Sequence, residues 1–331
     1  MSDIETIPTD GPVPELETTT TTTTPAAPVA GGSALWREIK GMLWVLLAVL
    51  AFHSFVAKPF YIPSESMMPG LLKGDRLVVS KYPYGWSYVS PTIPNPAAIF
   101  RSVLLGSGEP WGITLPFMDG RVLGNLPKRG DVVIVTPPGS NEDYIKRVIG
   151  LPGDTIEVRG GRLILNGVAV KSEVRPPTSI AIDPNMPCGN DPDPMHRDYA
   201  LMEHVAATTG GAMCELPIVR ETLPNGVTYD TVELGQSEGD NYPATQIPAG
   251  HLFLMGDNRD RSADSRFPAG PPDLGLGGPV PFENIGGRAE FITFSLDGTT
   301  RLANPASWLG GFRAHRAGTS LRATTAPATR H

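Results

Sequence analysis

The chain carries one long apolar segment near its beginning, and shorter apolar runs follow it. Residues 41–57 are apolar apart from two polar residues near the end. At about 1.5 Å per residue this is close to the shortest helix that crosses about 30 Å of hydrocarbon. Trp36 and Trp44 suit the interface where the segment begins. We therefore predict one transmembrane helix over residues 36–57; the alternative is a buried core helix.

After this segment the pattern becomes extended. Short runs rich in Val, Ile and Leu, bounded by Gly, Pro or Asp, predict strands. These runs are residues 76–82, 131–135, 144–149, 155–158, 162–165, 252–255 and 289–294. Arg159-Gly160-Gly161 joins two of them and is typical of a hairpin turn. The pattern predicts a mainly β protein with a folded-over antiparallel sheet or barrel-like core.

Two stretches interrupt the strand pattern, residues 86–126 and 170–248, and both are richer in Pro, Asn, Asp and Gly. The second is typical of an inserted, loop-rich subdomain, whereas nothing indicates a role for the first. The predicted organisation is a disordered tail (1–35), a transmembrane anchor (36–57), a β-core in two parts (58–154 and 249–300), an inserted subdomain (155–248) and an Arg-rich C-terminal tail (301–331).

The two ends of the chain differ in charge. The first 35 residues contain five acidic residues, no basic residue and seven consecutive threonines. Such a segment cannot bury enough apolar surface to order itself, and it lacks the basic start of a secretory signal peptide. The last 31 residues contain five arginines. They predict either a solvated tail or a contact with anionic lipid.

Composition and the absence of certain motifs argue against several classes of function. The net charge of −7 argues against a nucleic-acid partner, and no zinc-ligand spacing or phosphate-binding glycine loop is present. Cys188 and Cys214 are the only cysteines. Outside the cytoplasm such a pair is expected to close a loop of about 25 residues, worth about 3 kcal/mol; two unrelated buried thiols are the alternative.

Serine-dependent hydrolysis requires a base near the hydroxyl and donors for the oxyanion. The six histidines offer little, since one lies in the apolar segment, two in the insertion and two in the C-terminal tail. Only His251 begins a core strand, and a lone histidine there is more often structural. Lys146 differs from the other six lysines because apolar residues surround it within one predicted strand.

The face on which Lys146 lies decides its chemistry. If it points inward, desolvation lowers the pKa of the amine toward the value that a neutral base needs. If it points outward, it is a surface lysine paired with a carboxylate. The spacing of residues alone leaves both interpretations open.

Three polar segments stand out in order along the chain. Ser64-Glu65-Ser66-Met67-Met68-Pro69 follows the apolar segment, Tyr144 to Asp154 contains Lys146, and Gly256 to Arg266 forms a dense polar loop. Together they resemble bacterial type I signal peptidases, the membrane-bound Ser/Lys proteases that remove signal peptides from exported proteins. The resemblance covers about residues 58–155 and 249–295.

The resemblance implies a role for each matching residue. Ser66 matches the nucleophile and Lys146 the general base. Ser64 matches the side-chain partner of the Ser66 backbone N–H in the oxyanion hole. Ser262 matches the serine that hydrogen-bonds the lysine amine and orients it.

The family pattern also suggests supporting residues. Asp264 and Arg266 match a pair that holds the loop by a charge-assisted bond and does not react. Apolar residues near Ser66 match, or neighbour, the walls of shallow pockets for small substrate side chains: Phe60, Ile62, Pro63, Leu71 and Ile145. The resemblance implies no metal and no cofactor.

The expected function is a membrane-bound serine endopeptidase that cleaves signal peptides from exported preproteins after small residues at −1 and −3. Its partners would be those signal peptides and membrane lipid. We expect a single-pass protein of the bacterial inner membrane with its catalytic domain on the periplasmic side. The alternatives are a catalytically inactive, membrane-tethered β-module that binds exported chains, a specialised pilin-maturation peptidase, and a self-cleaving Ser/Lys regulator.

Overall fold

The structure is a computed structural model. It describes residues 32–90, 93–94, 112–113, 120–140, 142–186, 204–207, 211–301, 304, 307 and 310–325. The predicted disordered tail up to residue 31, much of the 86–126 stretch and Cys188 lie outside these residues.

The apolar segment forms helix α1, Gly32–Phe55. Its part from Leu35 to Phe55 is long and apolar enough to cross a membrane, by length and composition, and few of its side chains are buried. The helix ends two residues earlier than predicted because strand β1 already begins at Ala57. A boundary between two compact units falls within this helix, after Leu46.

The remaining described chain is almost entirely β. Its strands are β1 (Ala57–Tyr61), β2 (Asp75–Ser80), β3 (Ile93–Pro94), β4 (Gly112–Ile113), β5 (Val132–Val135), β6 (Tyr144–Gly150), β7 (Thr155–Arg159), β8 (Arg162–Leu165), β9 (Val168–Ala169), β10 (Lys171–Ala181), β11 (His204–Ala207), β12 (Gly211–Thr222), β13 (Val227–Val232), β14 (Asn241–Gln246), β15 (His251–Met255), β16 (Val280–Pro281), β17 (Ile285–Ser295) and β18 (Thr324–Thr325). Short 3₁₀ helices span Glu238–Asp240, Phe282–Asn284 and Ala314–Arg316.

A seven-stranded sheet forms the core, in the order β1-β2-β17-β5-β6-β15-β16, and its neighbouring strands are antiparallel. All four residues of β5 are buried, so both faces of the sheet are covered there. One face packs Leu77, Val132 and Ile145 together, and the other packs Val133 and Val148. Each strand predicted from the sequence is present, and the mainly antiparallel β fold is confirmed.

Two smaller sheets occupy the inserted region. One has the order β10-β12-β13-β18 with β11 beside β12, and the other has the order β14-β7-β8-β9. The predicted hairpin is the β7–β8 pair, with Gly160 and Gly161 at φ +54° and +75°. The region holds more strand than its composition indicated. The clearest example is β10, which is exposed along almost its whole length. An exposed strand needs no alternation of apolar residues, so the pattern missed it.

The C-terminal segment folds back onto the body. We call residues 311–325 the C-terminal strap. Arg313, Arg316 and Arg322 each form an ion pair with a carboxylate of the body, Leu321 is buried in the core, and β18 pairs with β13. The solvated-tail interpretation is therefore wrong for the strap.

Cys214 is buried and disulfide-bonded, and the sequence contains one other cysteine, Cys188. The alternative of a buried free thiol is wrong for Cys214. Cys214 lies on β12 in the inserted region, in a buried apolar cluster with Leu216 and Ile218.

Candidate active site

Ser66 lies in a loop between β1 and β2 whose base is closed by backbone hydrogen bonds. We call residues 62–75 the Ser66 loop. Ile62 N donates to Asp75 O at 2.9 Å, and Gly74 N donates to Ile62 O at 3.0 Å. Inside the loop two turns follow each other, one around Ser66 itself and one closed by Leu71 N to Met67 O at 2.9 Å. The chain is therefore held at the base of the loop and folded tightly near its tip.

Lys146 lies on β6 and points into the protein. Its Nζ donates a hydrogen bond to Ser66 Oγ at 2.9 Å, and both side chains are buried. Burial lowers the pKa of the Lys146 amine from its usual 10.5 to about 8. The carboxylates of Asp264 and Asp257 oppose this change, and the Arg266 guanidinium adds to it. The structure thus contains a serine hydroxyl in contact with an amine whose pKa lies well below that of an ordinary lysine.

Ser64 stands at the exposed side of the same site. Its Oγ lies 3.4 Å from Ser66 Oγ, and either hydroxyl can be the donor. Ser64 is exposed whereas Ser66 is 5% exposed. The two hydroxyls therefore lie on the same side of the Ser66 loop.

Asp264 and Arg266 brace the polar loop that follows β15. Their side chains form a buried ion pair at 2.9 Å, and Asp264 also accepts from Gly256 N at 2.9 Å. Arg266 Nη2 donates to Arg259 O at 2.6 Å. Burial by itself raises the pKa of Asp264, but Arg266 and the backbone donors outweigh it and leave the pKa below its usual value. Asp264 is therefore charged and contributes to holding the loop.

Ser262 differs from the expectation. Its Oγ is buried and makes no hydrogen bond within the described residues, so the expected bond to the Lys146 amine is not formed. The hydroxyl packs instead against Gly256, where an added Cβ would lie 2.2 Å from Ser262 Oγ and 2.5 Å from Ser66 O. A glycine at 256 is what allows the polar loop to approach the Ser66 backbone this closely.

Asp257 and Asn258 have roles that the sequence analysis did not assign. Asp257 accepts a two-point ion pair from buried Arg147, with Nε to Oδ1 at 2.7 Å. Asn258 N donates to Ser66 O at 3.1 Å, and its Nδ2 donates to Glu65 O at 3.2 Å. In the sequence, the position of Arg147 directly after Lys146 was the one indication that a second buried charge would need a carboxylate partner.

A cleft of about 230 Å³ opens beside Ser66 and Lys146. Phe60, Pro63 and Ile145 line it as predicted. Glu142, Asp143, Tyr144 and Ala263 also line it and were missed. His251 is not among the lining residues.

Ile62 and Leu71 are corrections to the predicted pocket. Neither belongs to the cleft lining, and they are 0% and 2% exposed. Both pack inside the apolar cluster of the main sheet, together with Met67. Ile62 also joins the backbone bonds that close the Ser66 loop, so its side chain turns into the core while Pro63 faces the cleft.

One group of carboxylates in the described part of the chain could approach a cation. It consists of Glu233, Asp240 and Asp260, with oxygens within 4.8 Å of one another. Two backbone N–H groups, at Leu234 and Gly235, already bond Asp260. None of the three carboxylates lines the cleft, so nothing connects them with chemistry at Ser66.

Known proteins resemble this chain over most of its length. The sequence pattern of the family described as "Signal peptidase, peptidase S26" matches residues 35–294. The chain belongs to this signal peptidase family. The family and its relatives make the chain a serine endopeptidase whose reaction is signal-peptide cleavage.

Similar proteins come from several bacteria. Signal peptidase I of Rickettsia typhi is 30% identical over 267 residues, which cover 78% of this chain and 80% of the relative. Signal peptidase I of Pseudomonas fluorescens is 33% identical over 262 residues, covering 77% and 71%. A crystal structure of a signal peptidase I from Enterococcus faecalis is 23% identical with a TM-score of 0.24, covering 50% of this chain and 97% of that one.

The Arg147–Asp257 pair yields a stability prediction. Asp257→Asn leaves the buried guanidinium without its counter-charge, and we expect a loss of about 3 kcal/mol in the free energy of unfolding. Glu157→Gln is the matched control, because Glu157 pairs with an Arg159 side chain that is 73% exposed. It should change stability by less than about 1 kcal/mol. Urea unfolding measures both; equal effects of the two substitutions would contradict the assignment.

Proposed function

We propose that this protein is a membrane-tethered signal peptidase that uses Ser66 as nucleophile and Lys146 as general base. The observation that carries the proposal is the 2.9 Å contact between Lys146 Nζ and Ser66 Oγ at a buried position. Burial lowers the pKa of the amine to about 8, so a useful fraction is neutral at physiological pH. A neutral amine in contact with a hydroxyl can accept its proton as that hydroxyl attacks.

In the proposed reaction Ser66 Oγ attacks the scissile carbonyl carbon while Lys146 Nζ takes the hydroxyl proton. The resulting ammonium then donates a proton to the leaving amine, and the peptide bond breaks to give an ester on Ser66. Water, deprotonated by the same amine, attacks the ester carbon, the bond to Ser66 Oγ breaks, and the ammonium returns its proton to Oγ as the new carboxyl end leaves. Each proton that Lys146 accepts is returned, so the dyad is restored after every cycle.

The oxyanion requires donors, and we assign them to the Ser66 backbone N–H and the Ser64 hydroxyl. Ser64 supports this role because its Oγ is 3.4 Å from Ser66 Oγ and faces the cleft. Ser262 remains our candidate for orienting the amine. Its hydroxyl has no other bond within the described residues, and catalytic bonds are often completed only when substrate closes the site.

Substrate selection would follow from the walls of the cleft. Phe60, Pro63 and Ile145 narrow the space beside Ser66, so large side chains would overlap with them. We infer a preference for small residues at −1 and −3, with the substrate extended along the edges of neighbouring strands. At these three residues the discrimination is steric, since their apolar side chains offer no hydrogen bonds to the substrate.

We further propose that α1 anchors the enzyme with its catalytic domain on the periplasmic side of the bacterial inner membrane. Arg37 and Lys40 precede the apolar segment, which favours keeping its N-terminal end inside. At the other end Phe55 and Tyr61 are exposed and lead into the Ser66 loop. Substrates and lipid would then meet the enzyme at the membrane surface.

The proposed domain division also has structural support. Residues 58–154 and 249–300 contribute all seven strands of the main sheet except the first residue of β1. Residues 155–248 hold the two smaller sheets apart from β18. The two-part core would then contain the catalytic residues, and the inserted region would form a subdomain of its own.

The inactive binding module is the main rival. It would have no use for a lysine whose amine is desolvated against a serine hydroxyl, because burial of that charge destabilises the fold. A peptidase that matures one pilus component would use the same dyad and would differ only in substrate range.

The dyad predicts a pH dependence. With a pKa of about 8, the neutral fraction of Lys146 rises from about one tenth at pH 7 to about nine tenths at pH 9. The rate of cleavage should therefore rise severalfold with pH over this range. Lys146→Arg should lower activity at least about 10²-fold, because arginine does not release its proton.

Lys81→Arg is a matched control for this substitution. Lys81 is also buried with a pKa lowered to about 8, chiefly by burial, but it does not line the cleft at Ser66. Initial rates on a purified preprotein in detergent measure both variants. If Lys146→Arg keeps more than about a percent of wild-type activity, or the pH limb is missing, the general-base assignment fails.

The two serines should behave differently. Ser66→Ala should be inactive, whereas Ser64→Ala should retain weak activity with kcat lowered about 10²–10³-fold, the usual cost of one oxyanion donor. Circular dichroism controls for folding. Equal, complete loss of activity in both folded variants would show that this division of roles is mistaken, and activity in Ser66→Ala would refute the nucleophile.

The anchor should matter for membrane substrates only. Deleting residues 1–54 keeps β1, which begins at Ala57, and removes the apolar helix up to its last residue. We expect this variant to cut short soluble peptides as well as the full chain does. It should process preproteins in lipid vesicles at least about tenfold more slowly, since the local concentration at the membrane is lost. Equal rates on both substrates would exclude a role for the anchor in selection.

A further inference from the structure

The C-terminal strap contacts the Ser66 loop through two arginines. Arg316 Nη2 donates to Gly70 O at 3.0 Å, and Arg313 Nη1 donates to Lys73 O at 3.0 Å. Both acceptors are backbone carbonyls of the Ser66 loop. The strap therefore holds that loop from a distant part of the sequence, beyond the residues 35–294 that match the family.

Arg316 is the more firmly placed of the two. Its Nε donates to Asp75 Oδ1 at 2.8 Å and its Nη2 to Asp75 Oδ2 at 2.6 Å. Asp75 is 0% exposed, and its Oδ2 also accepts from Leu72 N at 2.8 Å. A charge-assisted, two-point bond of this kind is strong and fixes direction as well as distance. One guanidinium thus joins the base of the Ser66 loop, at Asp75, to its interior, at Gly70.

Arg313 ties the same region to the rest of the protein. Its Nε lies 3.1 Å from Asp183 Oδ2, and its Nη1 reaches Ser295 Oγ at 3.2 Å. Asp183 belongs to the inserted region and Ser295 to the end of β17. The Lys73 carbonyl is therefore held against two separate elements of the body rather than against the strap alone.

The Ser66 loop is held at its other end by Asn258. That residue bonds the carbonyls of Glu65 and Ser66. The nucleophile thus lies in a loop bonded by the polar loop near its tip and by the strap near its base. Because Lys146 is fixed on β6, the Nζ–Oγ distance depends on how these contacts place the loop.

We propose that Arg316 is a positioning residue for Ser66, acting through Asp75 and Gly70. The proposal rests on Ser66 being the nucleophile. Arg316 touches neither the Ser66 nor the Lys146 side chain in any contact described above. Its removal leaves the Asp75 carboxylate buried without its counter-charge and frees the Gly70 carbonyl. A shift of about 1 Å in a reacting group can cost up to about 10²-fold in rate.

Arg322 provides a matched control on the same strap. It also forms an arginine–carboxylate pair, with Glu290 at 2.7 Å, but its side chain is 61% exposed. Its carboxylate partner lies on β17, outside the Ser66 loop. A general weakening of the strap would follow from either substitution, whereas a change in Ser66 placement would follow only from the loss of Arg316.

The test uses full-length enzyme in detergent with a purified preprotein substrate, and it compares Arg316→Gln, Arg316→Lys, Arg322→Gln and Ser66→Ala. We expect Arg316→Gln to lower kcat about tenfold with KM within about twofold of wild type. Arg316→Lys keeps the charge but loses the two-point geometry, so its kcat should lie between that of Arg316→Gln and that of the wild type. Arg322→Gln should keep wild-type kcat. Thermal melting verifies that assays run on folded protein.

The possible outcomes separate the two proposals. If folded Arg316→Gln has a kcat within twofold of wild type, or if Arg322→Gln loses as much, the positioning role is refuted. If Arg316→Gln does not fold, Arg316→Lys decides by the same criterion. Retention of activity in Ser66→Ala would refute the proposed nucleophile instead. An inactive Ser66→Ala beside an unaffected Arg316→Gln would overturn the inference about the strap alone.

Discussion

The burial of the Lys146 amine against Ser66 Oγ is the constraint on which the rest of the site depends. Because the folded pKa of about 8 lies below the usual 10.5, folding disfavours the protonated amine. The stability cost, about 3 kcal/mol, is fully present below pH 8 and disappears as pH rises above 10.5. The surrounding fold must supply enough apolar burial and ion pairing to tolerate that cost.

Other buried charges around the site are paired with charges of opposite sign. Arg147, the next residue after Lys146, is also buried, but it has the Asp257 carboxylate opposite it at hydrogen-bond distance. Asp264 and Arg266 form a second buried pair on the same polar loop. Each pair neutralises its own charges, whereas burial lowers the pKa of the Lys146 amine beside them to about 8. The difference in environment between Lys146 and Arg147, one residue apart, separates a reactive amine from a structural guanidinium.

The Ser66 loop is also held by side chains from other parts of the protein. Its carbonyls are bonded by Asn258 on one side and by Arg313 and Arg316 on the other. Backbone carbonyls in a loop have no ladder partner, so side chains from distant segments satisfy them. The loop therefore gains a defined position from residues far away in sequence, which a serine on a short turn cannot obtain from its neighbours.

The sequence by itself determined the apolar helix, the antiparallel strands and the nucleophile and base candidates, because periodicity and the three polar segments are local features. It did not determine whether Ile62 and Leu71 would face the cleft or the core, because both lie in the Ser66 loop, between β1 and β2, where no strand alternation fixes the direction of a side chain. The sequence also did not reveal which charged residues pair with Asp257 and with the arginines of the strap. Charge pairs between segments more than a hundred residues apart have no local pattern, and only the tertiary structure brings Arg316 and Asp75 together.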